Sequence, residues 1–177
     1  MDQPRPLPLD YDRNPDRFRT GRAVVEEFGL AGDVHAPLAA RLCREASGPI
    51  LDMGCGDGVL GRLLSETELR WIGIDLSRRL LRDAPRPVVL GDSACLPFRS
   101  SSFGAVTAVY MLYHLAEPIR AIREAHRVLR SGGLFVAVAP SRRDSPELQG
   151  LLPPSPPDTF DAEVLSLIHI SEPTRPY

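Results

Sequence analysis

The sequence of 177 residues has few cysteines and no long apolar segment. Its cysteines, Cys43, Cys55 and Cys95, are odd in number, widely spaced and without a Cys-X-X-Cys pair, so we expect neither a disulfide framework nor a zinc site. No apolar run approaches the roughly 18 residues needed to span a bilayer, and the first residues lack the apolar part of a secretory signal. These absences predict a cytoplasmic protein with no membrane partner.

The sequence also lacks an excess of charge of either sign. Its 21 basic and 23 acidic residues leave a formal net charge of −2. No global positive field therefore attracts nucleic acid, and we expect no nucleic-acid partner. Hydrophobic residues make up 43% of the chain, which is ordinary for a globular protein with one continuous core. Composition assigns no oligomeric state.

Prolines are abundant but unevenly placed, and they indicate the limits of that core. The 18 prolines are concentrated near the N-terminus and again at residues 153–157, as is typical of extended arms and loops. We therefore divide the chain into an N-terminal arm with helices (1–45), a core (46–140), a loop with the beginning of a further segment (141–164) and a tail (165–177).

Short apolar runs alternate with amphipathic stretches in the core. The apolar runs predict five strands, at residues 49–53, 71–75, 87–91, 103–110 and 134–139. Helical spacing predicts helices at 20–28, 37–45 and 59–65, and Ser77 is a candidate cap for a helix after the second strand. Strands that are apolar throughout and alternate with helices are typical of a parallel sheet covered on both faces. We therefore predict an α/β fold with a three-layer, doubly wound parallel sheet.

The helix before the last strand has the clearest pattern. Its predicted apolar face carries Leu115, Ile119, Ile122, His126 and Leu129. This placement predicts that His126 is a structural histidine packed against the core. The segment 131–133 (Ser-Gly-Gly) is expected to end the helix, with a glycine in the left-handed position.

A glycine-rich turn, DMGCGDG (52–58), follows the first strand. Glycines let the backbone turn tightly and approach a ligand, and the next helix offers its N-terminal N–H groups to an anion. No Gly-Lys-Ser or Gly-Lys-Thr follows, which excludes a P-loop. The segment 56–61 matches Gly-X-Gly-X-X-Gly, and Asp75 ends the next strand, so a dinucleotide site stays open.

Charge favours a different ligand at this turn. Asp52 and Asp57 would repel the doubly charged pyrophosphate of a dinucleotide. S-adenosylmethionine (SAM) has no phosphate and carries an ammonium and a sulfonium. An ionised carboxylate only accepts hydrogen bonds, so Asp75 could hold ribose hydroxyls and Asp92, after the third strand, the adenine amine. Three acids after three successive strands thus match the ammonium, ribose and adenine of SAM.

Residues 49–140 resemble the class I SAM-dependent methyltransferases, in particular their type-11 subset. The resemblance is carried by ILDMGCGDG (50–58), GID (73–75), GDSACLPF (91–98), SFGAVTAVYMLYHL (102–115) and EAHRVLRSGG (124–133). It implies a Rossmann-like methyltransferase fold with strand order 3-2-1-4-5-7-6. Gly104, where the family usually has an acidic residue, and Ser131, where proline is common, depart from the pattern.

The resemblance also implies which residues hold the SAM cofactor. The methionine end is expected against Asp52, Gly54 and Gly56, and the ribose against Asp75 and Leu76. The adenine is expected against Asp92 and Ser93, with the sulfonium near the backbone of Tyr110. Cys55 is expected to be a packing residue, and Asp57 a solvated loop acid.

The implied reaction is an in-line transfer of the SAM methyl group to an O, N or C atom of a small-molecule acceptor. The enzyme has mainly to place the nucleophile and exclude water, so we assign no catalytic residue and no metal.

His114 is a candidate general base, with a role as pocket wall as the alternative. Tyr11, Phe18 and Phe28 are candidate lid or wall residues of the acceptor pocket. Two other functions stay open: an NAD(P)-dependent oxidoreductase, and a non-catalytic fragment that binds a cofactor or partner.

The last residues of the sequence do not fit this fold. LSLIHISEPTR (165–175) resembles the translation of a sequencing-library adapter of the transposase type. The segment after residue 139 leaves no room for a sixth and a seventh strand. We therefore expect a C-terminally truncated chain whose authentic sequence ends near Val164, with strands six and seven missing. The fifth strand would then be an apolar edge.

Overall fold

The computed structural model describes residue 20 and residues 33–139. The helices are α1 (His35–Glu45), α2 (Val59–Leu64) and α3 (Pro118–Val128). The strands are β1 (Ile50–Met53), β2 (Trp71–Asp75), β3 (Val88–Leu90), β4 (Phe103–Val109) and β5 (Leu129–Val138). Two single 3₁₀ turns lie at Leu80–Arg82 and Leu112–His114. Some predictions concern residues outside the described part of the chain. They are those for Tyr11, Phe18 and Phe28, for the helix at 20–28 apart from residue 20, and for residues 140–177.

The five strands form one parallel sheet in the order β3-β2-β1-β4-β5. The predicted parallel α/β sheet is therefore confirmed, and this order agrees with the first five strands that the family resemblance implies. β1 is the central strand, with β2 on one side and β4 on the other. Chain order reverses at β1, and ligands of open α/β sheets bind outside the carboxyl ends of the strands at such a point.

The core has one cluster of buried side chains on each face of the sheet. Because side chains alternate along a strand, β1 sends Ile50 to one face and Leu51 and Met53 to the other. Ile50 joins the buried leucines of α1 and α2, whereas Leu51 and Met53 join the buried residues of α3. The sheet is thus covered on both faces, which gives the three predicted layers.

The predicted apolar face of the last helix is confirmed for Leu115, Ile122 and Leu129, which pack against the core, but it is wrong for Ile119 and His126. Ile119 is 51% exposed and His126 is exposed, whereas Ala121, Ala125 and Val128 are buried. The pattern weighted large apolar side chains, but small alanines are what let α3 approach the sheet closely. The helix also ends earlier than predicted, because Leu129 is already extended and begins β5.

An irregularity in the pairing of β4 with β5 accounts for the glycines that follow α3. Phe103 pairs with Leu129 and Ala105 pairs with Leu134, so four residues of β5 oppose one residue of β4. Gly132 has φ +72° within this bulge rather than at the helix end. On the opposite side, a Cβ on Gly104 would lie 2.0 Å from the carbonyl oxygen of Ser47. This contact gives a physical reason for the departure at position 104.

The segment after β2 is shorter than predicted. Ser77 does act as a cap, since its Oγ accepts a hydrogen bond from the Leu80 N–H at 3.2 Å, but only the single 3₁₀ turn follows. Pro85 and Pro87 come soon after, and a proline within a helix removes a donor and clashes with the preceding turn. Among the described helices, none is long and apolar enough to cross a membrane.

Candidate cofactor-binding site

The turn after β1 is attached to the end of β2 by its own backbone. The N–H groups of Gly54 and Cys55 both donate to the Ile74 carbonyl oxygen, at 2.8 and 3.1 Å. Gly54, Gly56 and Gly58 have φ values of +65°, +56° and +79°. A side chain is rarely tolerated at such angles, so the sequence of the turn follows from its conformation. The structure therefore holds this turn directly beside the carboxyl end of β2.

Gly54 is also confined by packing. A Cβ at this position would lie 2.6 Å from the Cβ of Met111, which follows β4. The sequence-based explanation, that glycine lets a ligand approach, did not include this protein contact. Met111 itself is buried and was not singled out from the sequence. Only its position after a strand end could have drawn attention to it.

Asp75 connects two loops at the end of β2. Its Oδ2 accepts a hydrogen bond from the Gly56 N–H at 2.8 Å, and its Oδ1 accepts one from the Ser77 N–H at 2.7 Å. An ionised carboxylate only accepts hydrogen bonds, so Asp75 presents acceptors to the backbone of both loops. Leu76, the next residue, is 50% exposed despite its size. Three of the predicted site residues, Gly56, Asp75 and Leu76, are thus brought together at one edge of the sheet.

Asp52 lies deeper than a surface ligand. It is 3% exposed, and its Oδ1 and Oδ2 accept hydrogen bonds from Thr107 Oγ1 at 2.7 Å and Trp71 Nε1 at 3.4 Å. Burial raises the pKa of Asp52 to about 6, although the two hydrogen bonds and the nearby His35 act in the opposite direction. The carboxylate thus sits within the sheet, on the face covered by α1 and α2, and its contact with SAM stays a prediction.

The loop after β3 carries the two residues predicted for the adenine. Asp92 is exposed, and its Oδ1 accepts a hydrogen bond from the Ala94 N–H at 2.8 Å. The Asp92 carbonyl oxygen accepts a second bond from the Cys95 N–H at 3.0 Å. Ser93, between them, is buried. This local turn leaves the Asp92 carboxylate at the surface and directs Ser93 inward.

Tyr110 adopts a backbone conformation that is unusual for a non-glycine residue. Its φ is +52°, and its N–H donates to the Val138 carbonyl oxygen at 2.8 Å. Residues held in this region cost on the order of 1–3 kcal/mol and concentrate at functional sites. The position directly after β4, beside Met111, is where the family resemblance places the sulfonium.

His114 lies in the 3₁₀ turn after β4. Its ring lies 4.2 Å from the Tyr113 ring, centroid to centroid, at an angle of 49°. Partial burial lowers the pKa of His114, so the ring is neutral at physiological pH, as a proton acceptor must be. The candidate base role predicted from the sequence is compatible with this state and stays a prediction.

Two other predictions for the turn have different outcomes. Asp57 is 7% exposed and its Oδ2 lies 3.4 Å from Arg62 Nη2, so the prediction of a solvated acid is wrong. The turn carries the residue inward toward α2, which a local pattern does not reveal. Cys55 packs in the cluster on the α1–α2 face, which confirms its packing role, and burial raises the pKa of its thiol.

A histidine that sequence reasoning missed lies on the same face as Asp52. His35 begins α1, and its Nδ1 is 2.6 Å from Asp33 Oδ1, which also accepts a bond from the His35 N–H at 3.0 Å. His35 is close enough to Asp52 to favour ionisation of that carboxylate. The Asp-X-His spacing before a predicted helix was the only signal available in the sequence.

A separate groove lies beside β3. Its volume is about 350 Å³, and it is lined by Arg78, Leu81, Arg82, Arg86, Val88 and Leu90. The three arginines are exposed and surround an apolar floor. The concentration of positive charge contrasts with the acids at the strand ends, so the groove suits an anionic ligand rather than the cationic end of SAM.

Comparison with known proteins agrees with this geometry. The family model described as "Methyltransferase domain" matches residues 51–137. A probable S-adenosylmethionine-dependent methyltransferase of Mycolicibacterium smegmatis is 30% identical over 124 residues, which cover 63% of this chain and 48% of that protein. The 18S rRNA (guanine-N(7))-methyltransferase of Bos taurus is 32% identical over 114 residues, covering 59% of this chain and 39% of that protein.

Solved structures show the same fold. A SAM-dependent methyltransferase from Thermotoga maritima, titled a possible histamine N-methyltransferase, superposes with a TM-score of 0.65 at 21% identity. The match covers 88% of this chain and 75% of that one. In contrast, the chain spans less than half the length of the curated relatives described above.

Proposed function

We propose that the chain, whose residues 51–137 match the methyltransferase-domain family, is a class I SAM-dependent methyltransferase that binds SAM at the carboxyl ends of β1, β2 and β3 and transfers the methyl group to an acceptor. When bound, SAM supplies a methyl group already activated by the positive sulfur. The protein has then to bind the cofactor, orient the acceptor and exclude water. This proposal covers the whole protein, of which residues 46–140 form the cofactor-binding core.

The hydrogen bond from the Gly56 N–H to Asp75 Oδ2, at 2.8 Å, is the observation that carries the proposal. In a dinucleotide site the N–H groups of such a turn bind the pyrophosphate. Here a carboxylate already accepts from the central amide of the turn and adds negative charge at that point. This arrangement disfavours a phosphate and suits the hydroxyls and cationic groups of SAM, which argues against the NAD(P) alternative.

The residues at the strand ends fit SAM in chemical type. Asp75 is an acceptor-only carboxylate, the type of group that ribose hydroxyls need, and the exposed Leu76 offers an apolar surface beside it. Asp92 presents an exposed carboxylate that can accept from an exocyclic amine. We assign the ribose to Asp75 and Leu76, the adenine to Asp92 and Ser93, and the methionine end to the turn with Asp52, Gly54 and Gly56. The backbone of Tyr110 is assigned to the vicinity of the sulfonium.

Calorimetric titration with SAM, S-adenosylhomocysteine and NADH tests the proposal. We expect the two adenosyl ligands to bind and NADH not to bind. Asp75→Asn should weaken adenosyl binding by about tenfold or more, because a charged acceptor for two hydroxyls is lost. Glu68→Gln, an exposed acid before the opposite end of β2, is the matched control and should change nothing. Tight binding of NADH would replace the proposal with the oxidoreductase alternative.

The acceptor class has two candidates. We propose the small molecule expected from the sequence as the first, with His114 as the candidate base near its entry. The arginine-lined groove favours RNA as the second, because clustered arginines neutralise phosphates and a curated relative acts on rRNA. The overall charge of −2, which argued against nucleic acid, does not describe this local concentration.

Fluorescence anisotropy with a labelled single-stranded RNA separates the two acceptor classes. If RNA is the acceptor, binding should weaken steeply as salt is raised, and the pair Arg82→Gln and Arg86→Gln should reduce it. Arg123→Gln, an exposed arginine on α3, should leave it unchanged. RNA binding that does not respond to the groove variants would remove the second candidate.

A further inference from the structure

Two side chains of α3 hold the loop that follows β3. Arg127 Nη2 donates to the Leu96 carbonyl oxygen at 3.0 Å, and its Nη1 donates to the Phe98 carbonyl oxygen at 2.8 Å. Glu124 Oε2 accepts a hydrogen bond from the Leu96 N–H at 2.8 Å. Both backbone groups of Leu96 are therefore bound by neighbouring side chains of one helix.

The two side chains also fix each other. Arg127 Nε donates to Glu124 Oε1 at 2.7 Å, and Nη2 donates to Oε2 at 2.7 Å. Such a bidentate pair has a defined plane as well as a defined distance. The hydrogen bond from Arg127 holds the pKa of Glu124 below its usual range, so the acid is ionised wherever the protein is folded near neutral pH.

The other hydrogen bonds of the loop lie nearer Asp92, where the Gly91 N–H donates to the Asp75 carbonyl oxygen at 3.0 Å. The loop follows the three-residue strand β3, and its own hydrogen bonds around Asp92 are local ones to Ala94 and Cys95. Leu96 is buried against the cluster that includes α3. The bonds from Glu124 and Arg127 therefore connect the Asp92 turn to the helix that covers the sheet.

We propose that Glu124 and Arg127 are a positioning pair that sets where Asp92 and Ser93 meet the adenine base of the cofactor. The inference rests on the proposed function, because it assigns the base to that loop. Leu96 is four residues from Asp92. A shift at Leu96 therefore moves the Asp92 carboxylate, which is assigned to accept the hydrogen bond from the adenine amine. The pair itself touches the loop backbone and not the cofactor. It thus determines how strictly the site distinguishes adenine from a base without the amine.

The experiment compares the affinities for S-adenosylhomocysteine and for its analogue in which hypoxanthine replaces adenine. The variants are Arg127→Lys, which keeps the charge but loses the planar fork, and Glu124→Gln, which keeps the shape but loses the charge. The control is Arg120→Lys, because Glu117 and Arg120 form an ion pair of the same spacing on the same helix at 3.6 Å. Among the described residues, no hydrogen bond connects Glu117 or Arg120 to the loop after β3.

We expect both variants to reduce the preference for adenine by about tenfold, which corresponds to the loss of one charged hydrogen bond. The control should keep the wild-type ratio. A purely structural loss would lower the folded fraction and weaken both ligands equally, so the ratio separates positioning from stability. Hydrogen exchange of the Leu96 amide, measured without ligand, should also rise in the variants relative to amides of β1.

An unchanged ratio in both variants would overturn the inference while leaving SAM binding intact. Unchanged exchange at Leu96 would equally overturn it, since the loop would then be held without the pair. If the wild-type protein bound neither adenosyl ligand, the proposed function and the adenine role would fail together, whereas the exchange result would still report whether the pair holds the loop.

Discussion

At the scale of single residues, Asp52 has the most unusual environment. It is enclosed between Trp71 and Thr107 on adjacent strands, because both register with the segment around Asp52 in the sheet. Burial makes its ionised form costly, and the two hydrogen bonds reduce that cost without removing it. The charge of this residue is therefore coupled to folding and to any cation bound nearby.

This coupling predicts how stability depends on pH. The folded pKa is raised from 3.8 to about 6, so the folded protein holds the proton to higher pH than the unfolded chain. The contribution of Asp52 to the free energy of unfolding is therefore greatest below pH 4. It should fall by roughly 3 kcal/mol as the pH rises to 6. Urea denaturation of wild type and Asp52→Asn between pH 4 and 7 isolates this contribution as a difference.

A matched acid provides the control for that measurement. Glu45→Gln changes an exposed acid in an ion pair with Arg41, and its stability profile should run parallel to that of wild type. Parallel profiles for Asp52→Asn as well would show that the buried carboxylate does not carry the effect. If SAM places its ammonium near Asp52, bound SAM should shift the transition to lower pH, because a cation favours the ionised form.

Two glycines separate the effect of packing from that of backbone conformation. Gly54 and Gly132 have φ values of +65° and +72°, but only Gly54 has a neighbour, Met111, where a Cβ would lie. Gly132→Ala should lower the free energy of unfolding by about 1 kcal/mol from the left-handed conformation alone. Gly54→Ala should cost about 1–3 kcal/mol more because the side chain overlaps Met111. Equal costs in thermal or urea denaturation would contradict the packing contact.

The sequence predicted the location of single residues well where that location depends on position along a strand. Asp75 ends β2 and Leu76 follows it, so both lie at the predicted edge of the sheet. Asp57 and His126 were misplaced because their burial depends on a partner or a helix rotation. Arg62, which pairs with Asp57, and the close approach of α3 through alanines are tertiary facts that local patterns do not contain.

At the scale of elements, α3 gives the sharpest test. Ala125 is buried against the sheet, whereas Ile119 is 51% exposed. Ala125→Leu should lower the free energy of unfolding by about 1–3 kcal/mol, because the added carbons have no space. Ile119→Ala should change it by less than about 0.5 kcal/mol, as expected for an exposed position. The apolar face predicted from the sequence would give the opposite order in urea denaturation.

The strands were predictable because each is an apolar run with buried faces. The bounds of β2 agree with the prediction at both ends, and β1, β3 and β4 agree within one residue at each end. The start of β5 at Leu129 was missed, because a bulge opposite Gly104 lets the strand begin before the glycine pair. An irregular register arises from contacts between strands, so no single segment of sequence encodes it.

At the scale of the whole molecule, burial falls from the centre of the sheet toward β3. β1 is buried along its length and β4 over all but its last residue, whereas β3 is short and partly exposed. Amide hydrogen exchange should therefore be slowest in β1 and β4 and clearly faster in β3. Bound SAM should slow exchange in the loops after β1, β2 and β3. Uniform exchange across the sheet would contradict a central core.

The strand order followed from the family resemblance rather than from any residue. Apolar runs and helical spacing predicted a parallel sheet, but they did not say which strands are neighbours. The set of motifs, in their order, supplied that information, and the fold agrees with it over the described residues. The acceptor class was not predictable in the same way, because the matched motifs surround the cofactor.

The contact between Gly104 and Ser47 has a consequence for evolution and engineering. Ser47 and Gly48 lie just before β1, and Gly104 lies at the beginning of β4, so two distant positions share one space. An acidic residue at 104, usual in the family, can return only if the 47–48 turn changes with it. The two positions should therefore covary among relatives. A chimera that exchanges β4 alone should fold poorly, and one that exchanges both segments together should regain its stability.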